Sequence, residues 1–323
     1  MHQRLSRSNW PYCDSTYPDA FSGEKDSCGV GFIASVEGKQ NHWVLSQALR
    51  GLSCMEHRGG CGGDGDSGDG AGILCEIPWS YLRKVWETAK ECEPQSSGIG
   101  MIFMPKDSKN REIARQICEQ EAESVGLTSK GWRNVPVQEE VLGKLARENE
   151  PFITQWIVNI KDKDINLEAL LFRLRQRISN RANIELKEDK LGLYICSLSS
   201  KTIVYKGMVR SEILAPYYAD LNDDRFEVSY AVYHRRFSTN TLPKWPLAQP
   251  MRLLGHNGEI NTLLGNINWA KATETDISSV WKDNANDLKP IVNNLFSDSA
   301  NLDLNLELLV RSGRPITDSL LTL

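Results

Sequence analysis

The sequence predicts an α+β fold, on three observations. Segments with strand and helix periodicity fall in blocks rather than in strict βαβα alternation. No internal repeat or long low-complexity linker divides the 323 residues, so one compact unit is expected. Composition is that of a globular chain with a sizeable core, 40% hydrophobic and 25% charged. These values exclude collagen-like, coiled-coil and wholly disordered chains. The net charge of −4 argues against a protein built to hold nucleic acid or an anionic membrane face.

The elements follow from local pattern. Residues 29–36 read as a buried strand carrying Val30, Phe32, Ile33 and Ala34. Residues 43–55 place Val44, Leu45, Ala48, Leu49, Leu52 and Met55 on one helical face. Helices are also expected over 110–125 and over 166–178, where Leu167, Leu170, Leu171, Leu174 and Ile178 keep helical spacing. Strands are expected at 152–158, 191–198, 202–206 and 228–233, with Ser199-Ser200-Lys201 as a hairpin turn. A short strand at 251–256 should lead into a helix from about 258, where Ile260, Leu263, Leu264 and Ile267 share a face. Leu302, Leu304, Leu306 and Leu308 alternate like a strand, yet Leu302, Leu306 and Leu309 also fit a helix. The helix is preferred, because Ser297-Asp298-Ser299 offers an N-cap.

Targeting signals and metal sites are not evident. The first 27 residues lack the apolar stretch of a secretory signal, and no run suits a membrane helix. The eight cysteines are scattered without zinc or cluster spacing, which fits buried thiols in a reducing compartment.

Four segments carry candidate chemistry. Residues 57–72 are half glycine, with Asp64, Asp66 and Asp69 among them. No Gly-Lys-Ser/Thr follows for a P-loop, and Gly68-Asp69 reverses the order an EF-hand turn requires. Two readings stay open: a structural loop, or a loop walling an active site with its aspartates on turn amides. His234-Arg235-Arg236 ends the strand at 228–233, where an arginine suits bidentate capture of a carboxylate or is simply a surface cation. His256-Asn257-Gly258 precedes the expected helix, and unpaired N–H groups at a helix start make a natural oxyanion site. Asn-Gly alone is also an ordinary turn. Cys28 would be a bland buried residue unless it became N-terminal.

Taken in order, these segments resemble the class II glutamine amidotransferase domain of the glutamate synthase family. The resemblance rests on Cys28-Gly-Val-Gly-Phe-Ile-Ala, on Met55-Glu-His-Arg-Gly-Gly-Cys-Gly-Gly-Asp-Gly-Asp-Ser-Gly-Asp-Gly-Ala-Gly72 and on His234-Arg-Arg-Phe-Ser-Thr-Asn-Thr241. It continues through Trp245-Pro-Leu-Ala-Gln-Pro250, His256-Asn-Gly-Glu-Ile-Asn-Thr262, Gly265-Asn-Ile-Asn-Trp269 and Ser297-Asp-Ser-Ala-Asn-Leu302. The segment before Cys28 looks most like the ferredoxin-dependent members.

The resemblance implies a four-layer αββα sandwich of the N-terminal-nucleophile (Ntn) hydrolase type. It implies a propeptide at 1–27 and an amidotransferase domain at 28–323 that is incomplete at its C-terminal end. Cys28 would be the nucleophile toward L-glutamine. Asn257 and Gly258 would hold the oxyanion, Arg236 the substrate α-carboxylate and Asp298 its α-ammonium group. Ammonia would pass to synthase domains that aminate 2-oxoglutarate, using FMN, an iron–sulfur cluster and electrons from ferredoxin, none of whose sequence signatures occurs in this segment. A cytoplasmic location is implied, or the plastid stroma in a photosynthetic eukaryote. The alternatives are a stand-alone glutaminase or an inactive glutamine-binding fragment.

Overall fold

The computed structural model describes residues 29–56, 59–60, 62–160, 165–187, 189, 192–236, 243–258, 260–274 and 277–323. Among these residues, eight strands form two four-stranded sheets: β1 (Gly29–Ala34), β2 (Ala71–Glu76), β3 (Ser97–Met104), β4 (Leu127–Asn134), β5 (Phe152–Ile160), β6 (Tyr194–Ser199), β7 (Thr202–Gly207) and β8 (Tyr230–Arg235). Their orders are β1-β8-β2-β7 and β4-β5-β3-β6, and every pairing is antiparallel. Five longer helices are α1 (His42–Cys54), α2 (Ser108–Ser124), α3 (Leu167–Glu185), α4 (Leu263–Thr273) and α5 (Asp298–Arg311).

The layers follow from which faces are apolar. Helix α1 starts at Asn41, whose side chain accepts from the Val44 N–H, and it buries Val44, Leu45, Ala48 and Leu52 in the core of the first sheet. Helices α2 and α3, capped by Asp107 and Asn166, cover the outer face of the second sheet through Ile117, Leu171, Leu174 and Ile178. Between the sheets Ile73, Tyr205, Met101 and Ile157 share one core. Burial of each such side chain contributes roughly 1.5–3 kcal/mol. The result is the expected α+β arrangement of helix, sheet, sheet and helix.

Several local expectations are corrected. The α+β class stands, but not because elements come in blocks: β2, β3 and β4 interleave with helices, and the class rests on antiparallel pairing. Strand β1 is not buried. It lies at a sheet edge with β8 as its one neighbour, and Phe32 is 75% exposed. Ser199-Ser200-Lys201 does not close a hairpin, because β6 and β7 belong to different sheets. The Ser199 hydroxyl accepts from the N–H groups of Lys201 and Thr202, while the Ser200 N–H donates to Glu168. Residues 251–256 are not a strand but a loop, fastened by Asp303, whose carboxylate accepts from the N–H groups of Arg252, Leu253 and Leu254. The ambiguous leucine run is helical, its Ser297 cap accepting from the Ala300 N–H at 3.2 Å.

Candidate active site

Strand β8 brings the first group of candidate residues to the sheet. Gly29, which follows Cys28 in sequence, pairs with Arg235 at the end of β8. Cys28 itself and residues 1–27 lie outside the described residues. Arg236 follows β8 with φ at 94°, in the left-handed region, and its N–H donates to the Gly70 carbonyl at 2.7 Å. Its side chain remains 40% exposed.

The glycine-rich loop explains why Arg236 sits this way. Asp64 accepts from the N–H groups of Ser67 and Leu145, and the Ser67 hydroxyl accepts from the Ala146 N–H. These bonds, led by Leu145, hold the Asp64 carboxyl well below the usual carboxylate range. A Cβ at Gly68 would lie 2.2 Å from the backbone of Val209 and Arg210, so only glycine fits there. Asp66 meets Arg210 at 3.2 Å, and Asp69 turns toward β8, its Oδ1 accepting from Arg235 Nη1 at 2.6 Å. Of the three aspartates, Asp64 and Asp69 bind turn amides, and Asp66 pairs with an arginine instead. Most of the loop is therefore structural, and its last aspartate reaches the arginine pair.

The Asn257-Gly258 segment is held through His256. The His256 N–H donates to Gln249 Oε1 at 2.8 Å, its carbonyl faces His234 Nε2 at 2.9 Å, and its Nδ1 lies 3.0 Å from Ser299 Oγ. His234 stands two residues before Arg236, and Ser299 directly follows Asp298. One residue thus ties together the strand bearing Arg236, the loop bearing Asn257 and Gly258, and the helix bearing Asp298. Gly255 completes the junction, since a Cβ there would lie 3.2 Å from Val30 of β1. Gly258 has φ at 133°, a conformation open to glycine, and both Asn257 and Gly258 are exposed.

The helix expected from about 258 begins only at Leu263, after Thr262 in a left-handed conformation. The Gly258 N–H is therefore a loop amide and owes nothing to a helix terminus. Asp298 opens α5, almost wholly buried, with its Oδ2 accepting from the Ile260 N–H at 2.9 Å and its Oδ1 from the Ser299 N–H at 2.6 Å. The Ser299 hydroxyl adds a longer bond to the same Oδ1, at 3.3 Å. Asp298 and Ile260 also form part of the wall of a cavity of about 610 Å³ between α4 and α5.

The His234 clamp gives a pH dependence of stability. Burial pushes the imidazole down from 6.5 to about 4, so the neutral ring donates from Nε2 to the His256 carbonyl. Between those pH values the unfolded chain holds a proton that the folded one does not. Stability is therefore fully present above about pH 6.5 and falls as pH drops toward 4. Urea unfolding from about pH 7 to about pH 4.5 should show a smaller loss of midpoint in His234→Gln than in the wild type. Equal losses would remove His234 as the cause.

Sequence reasoning placed Arg236, Asn257 with Gly258, and Asp298 in three separate motifs, and the bonds through His256 link the elements that carry them. It did not single out Gln249, Ser299 or Asp303, nor give His234 and His256 a role. Their adjacency to the motifs was visible, but their long-range partners were not. The family model for "Glutamine amidotransferases class-II" matches residues 28–323. The chain belongs to that family. Among relatives of this amidotransferase chain, the ferredoxin-dependent glutamate synthase 2 of Synechocystis is 51% identical over 90% of this chain and 19% of its own length. The chloroplastic/mitochondrial ferredoxin-dependent glutamate synthase 1 of Arabidopsis thaliana is 46% identical over 93% of this chain and 19% of its own. The chloroplastic enzyme of spinach is 45% identical over the same shares. The amidotransferase chain thus spans about a fifth of the length of these relatives. No helix among its described residues is long and apolar enough to cross a membrane.

Proposed function

We propose that the chain hydrolyses L-glutamine to glutamate and ammonia, with Cys28 as nucleophile after removal of residues 1–27. The observation that supports this reading is the His256 junction, which links β8, the 255–258 loop and the start of α5, with Gly255 close to Val30 of β1. The freed α-amino group, with an ordinary pKa of about 7.7–8.0, takes the thiol proton as Cys28 Sγ attacks the side-chain amide carbon. The oxyanion is held by the Asn257 side-chain amide and the Gly258 N–H. On collapse the amino group gives its proton to the leaving nitrogen, and ammonia departs. Water, deprotonated by the same amine, then cleaves the thioester to give glutamate. Arg236 pairs with the substrate α-carboxylate and Asp298 with its α-ammonium group, which selects glutamine over a plain amide.

The relatives' names support a wider role, in which this domain feeds ammonia to synthase domains acting on 2-oxoglutarate with electrons from ferredoxin. FMN and an iron–sulfur cluster would belong to those domains. Among the described residues no three His, Cys, Asp or Glu side chains gather into a metal site. The same relatives favour this reading over a free-standing glutaminase. A cytoplasmic or plastid-stromal setting is part of the proposal, the latter suggested by relatives named chloroplastic.

Incubation with L-glutamine tests the reading: glutamate and ammonia should appear in equal amounts. In Asn257→Ala, kcat should fall by about 10²–10³ with KM little changed, because the lost donor acts on charge that develops after binding. An unchanged kcat would remove Asn257 from the oxyanion site.

A further inference from the structure

The arginine pair at the end of β8 poses an electrostatic problem. Arg235 is fully buried and Arg236, next to it in the chain, is 40% exposed. Two adjacent guanidinium groups repel, and a buried one without a counter-ion is costly. Asp69, the last aspartate of the glycine-rich loop, meets both. Its Oδ1 accepts from Arg235 Nη1 at 2.6 Å, while its Oδ2 accepts from the Gly60 N–H at 2.8 Å and lies 3.5 Å from Arg236 Nε. The next residue, Gly70, accepts from the Arg236 N–H at 2.7 Å and from Arg235 Nη1 at 3.3 Å. Glu56, 39% exposed, approaches Arg235 Nη2 at 3.5 Å from the other side. The loop therefore neutralises Arg235 and grips the backbone and the inner edge of Arg236.

We propose that Asp69 is a positioning residue that sets the affinity of the site for the substrate α-carboxylate through Arg236. This rests on the reading of Arg236 as the α-carboxylate partner. The strong bond of Asp69 goes to Arg235, at 2.6 Å against 3.5 Å to Arg236, and the exposed part of Arg236 is left to a bound carboxylate. The positive φ of Arg236, unfavourable for a residue with a Cβ, is held by the Gly70 bond that Asp69 anchors. The glycine-rich loop thereby gains a part in choosing glutamine, although its aspartate touches no reacting atom.

The test compares two substrates, L-glutamine and 4-aminobutanamide, which is glutamine without its α-carboxylate. In Asp69→Asn, which keeps the side-chain shape and an acceptor for Gly60, KM for glutamine should rise about ten-fold with kcat within two-fold. The kcat/KM for 4-aminobutanamide should stay at the wild-type value. In an Arg236→Ala background, adding Asp69→Asn should change kcat/KM for glutamine less than two-fold, since the two act as one unit. Equal losses on both substrates, or additivity in the double variant, would overturn the proposal in favour of a structural role. Should Asp69→Asn not fold, Glu56→Gln perturbs the same pair from the surface. It should raise KM for glutamine about two- to three-fold and leave 4-aminobutanamide unaffected, and no selective change there would equally overturn the proposal. If Arg236→Ala itself leaves KM for glutamine unchanged, the assignment of Arg236 fails independently of Asp69.

Discussion

Cys28→Ala is expected to abolish ammonia release from L-glutamine, with a loss on the order of 10⁴-fold or more in kcat. Four of the five described thiols are poorly suited to take over. Cys75, Cys92, Cys118 and Cys196 are buried, and burial pushes each thiol above its usual range, Cys196 to about 12. Cys54 is exposed, at the end of α1 and near Tyr233. The substrate contacts proposed for Arg236 and Asp298 do not involve the thiol, so isothermal titration with glutamine should still show binding to the variant. Intact-mass measurement of the wild type should show loss of residues 1–27. Full activity with the leader retained would rule out the terminal amine as base.

Asp220→Ala should destabilise the fold by about 3–5 kcal/mol, the cost of stranding a buried charge. Asp220 is fully buried on the turn Ala219–Asn222. It receives Arg133 at 2.7 and 2.8 Å and the hydroxyls of Tyr81 and Tyr205 at 2.8 and 2.9 Å. Gln155 extends the network, donating to the Tyr205 hydroxyl and accepting from Arg133. Arg133, Gln155 and Tyr205 stand on β4, β5 and β7, so this cluster joins the two sheets, with Tyr81 added from the helix Trp79–Val85. Burial and the nearby carboxylate push the Tyr205 hydroxyl far up, which keeps it a neutral donor. Urea unfolding reads the effect as a lowered midpoint at constant slope. A loss below about 1 kcal/mol would show that water or a shifted side chain replaces the carboxylate.

Much of this architecture was legible because helices announce themselves through local spacing. The apolar faces of α1, α2 and α3 were read to within a few residues, α3 running on beyond the clear leucine pattern to Glu185. Strands were harder. β3 is buried along all eight residues and so carries no alternation, while β4 is largely polar and bends at a bulge near Gly131. β1 misled in the other direction, since apolar residues on both faces suggest burial, yet an edge position leaves Val30 and Phe32 in solvent. The onset of α4 shifted because Thr262 adopts a left-handed backbone that spacing does not reveal. The candidate residues were legible through motif order. What holds them was not: the bonds of His256 to His234, Gln249 and Ser299, and of Asp69 to Arg235, join residues up to 166 positions apart.

The pairing of β1 with β8 also sets a timetable. Gly29 finds Arg235 across about two hundred residues of intervening chain, and closing so long a loop is slow unless the elements between have already condensed. During synthesis from the N-terminus, the residues around Cys28 emerge early and wait without their neighbours. Arg236, the Asn257 loop and the start of α5 follow much later. Any chemistry that needs both Cys28 and these groups is thereby postponed until they have emerged.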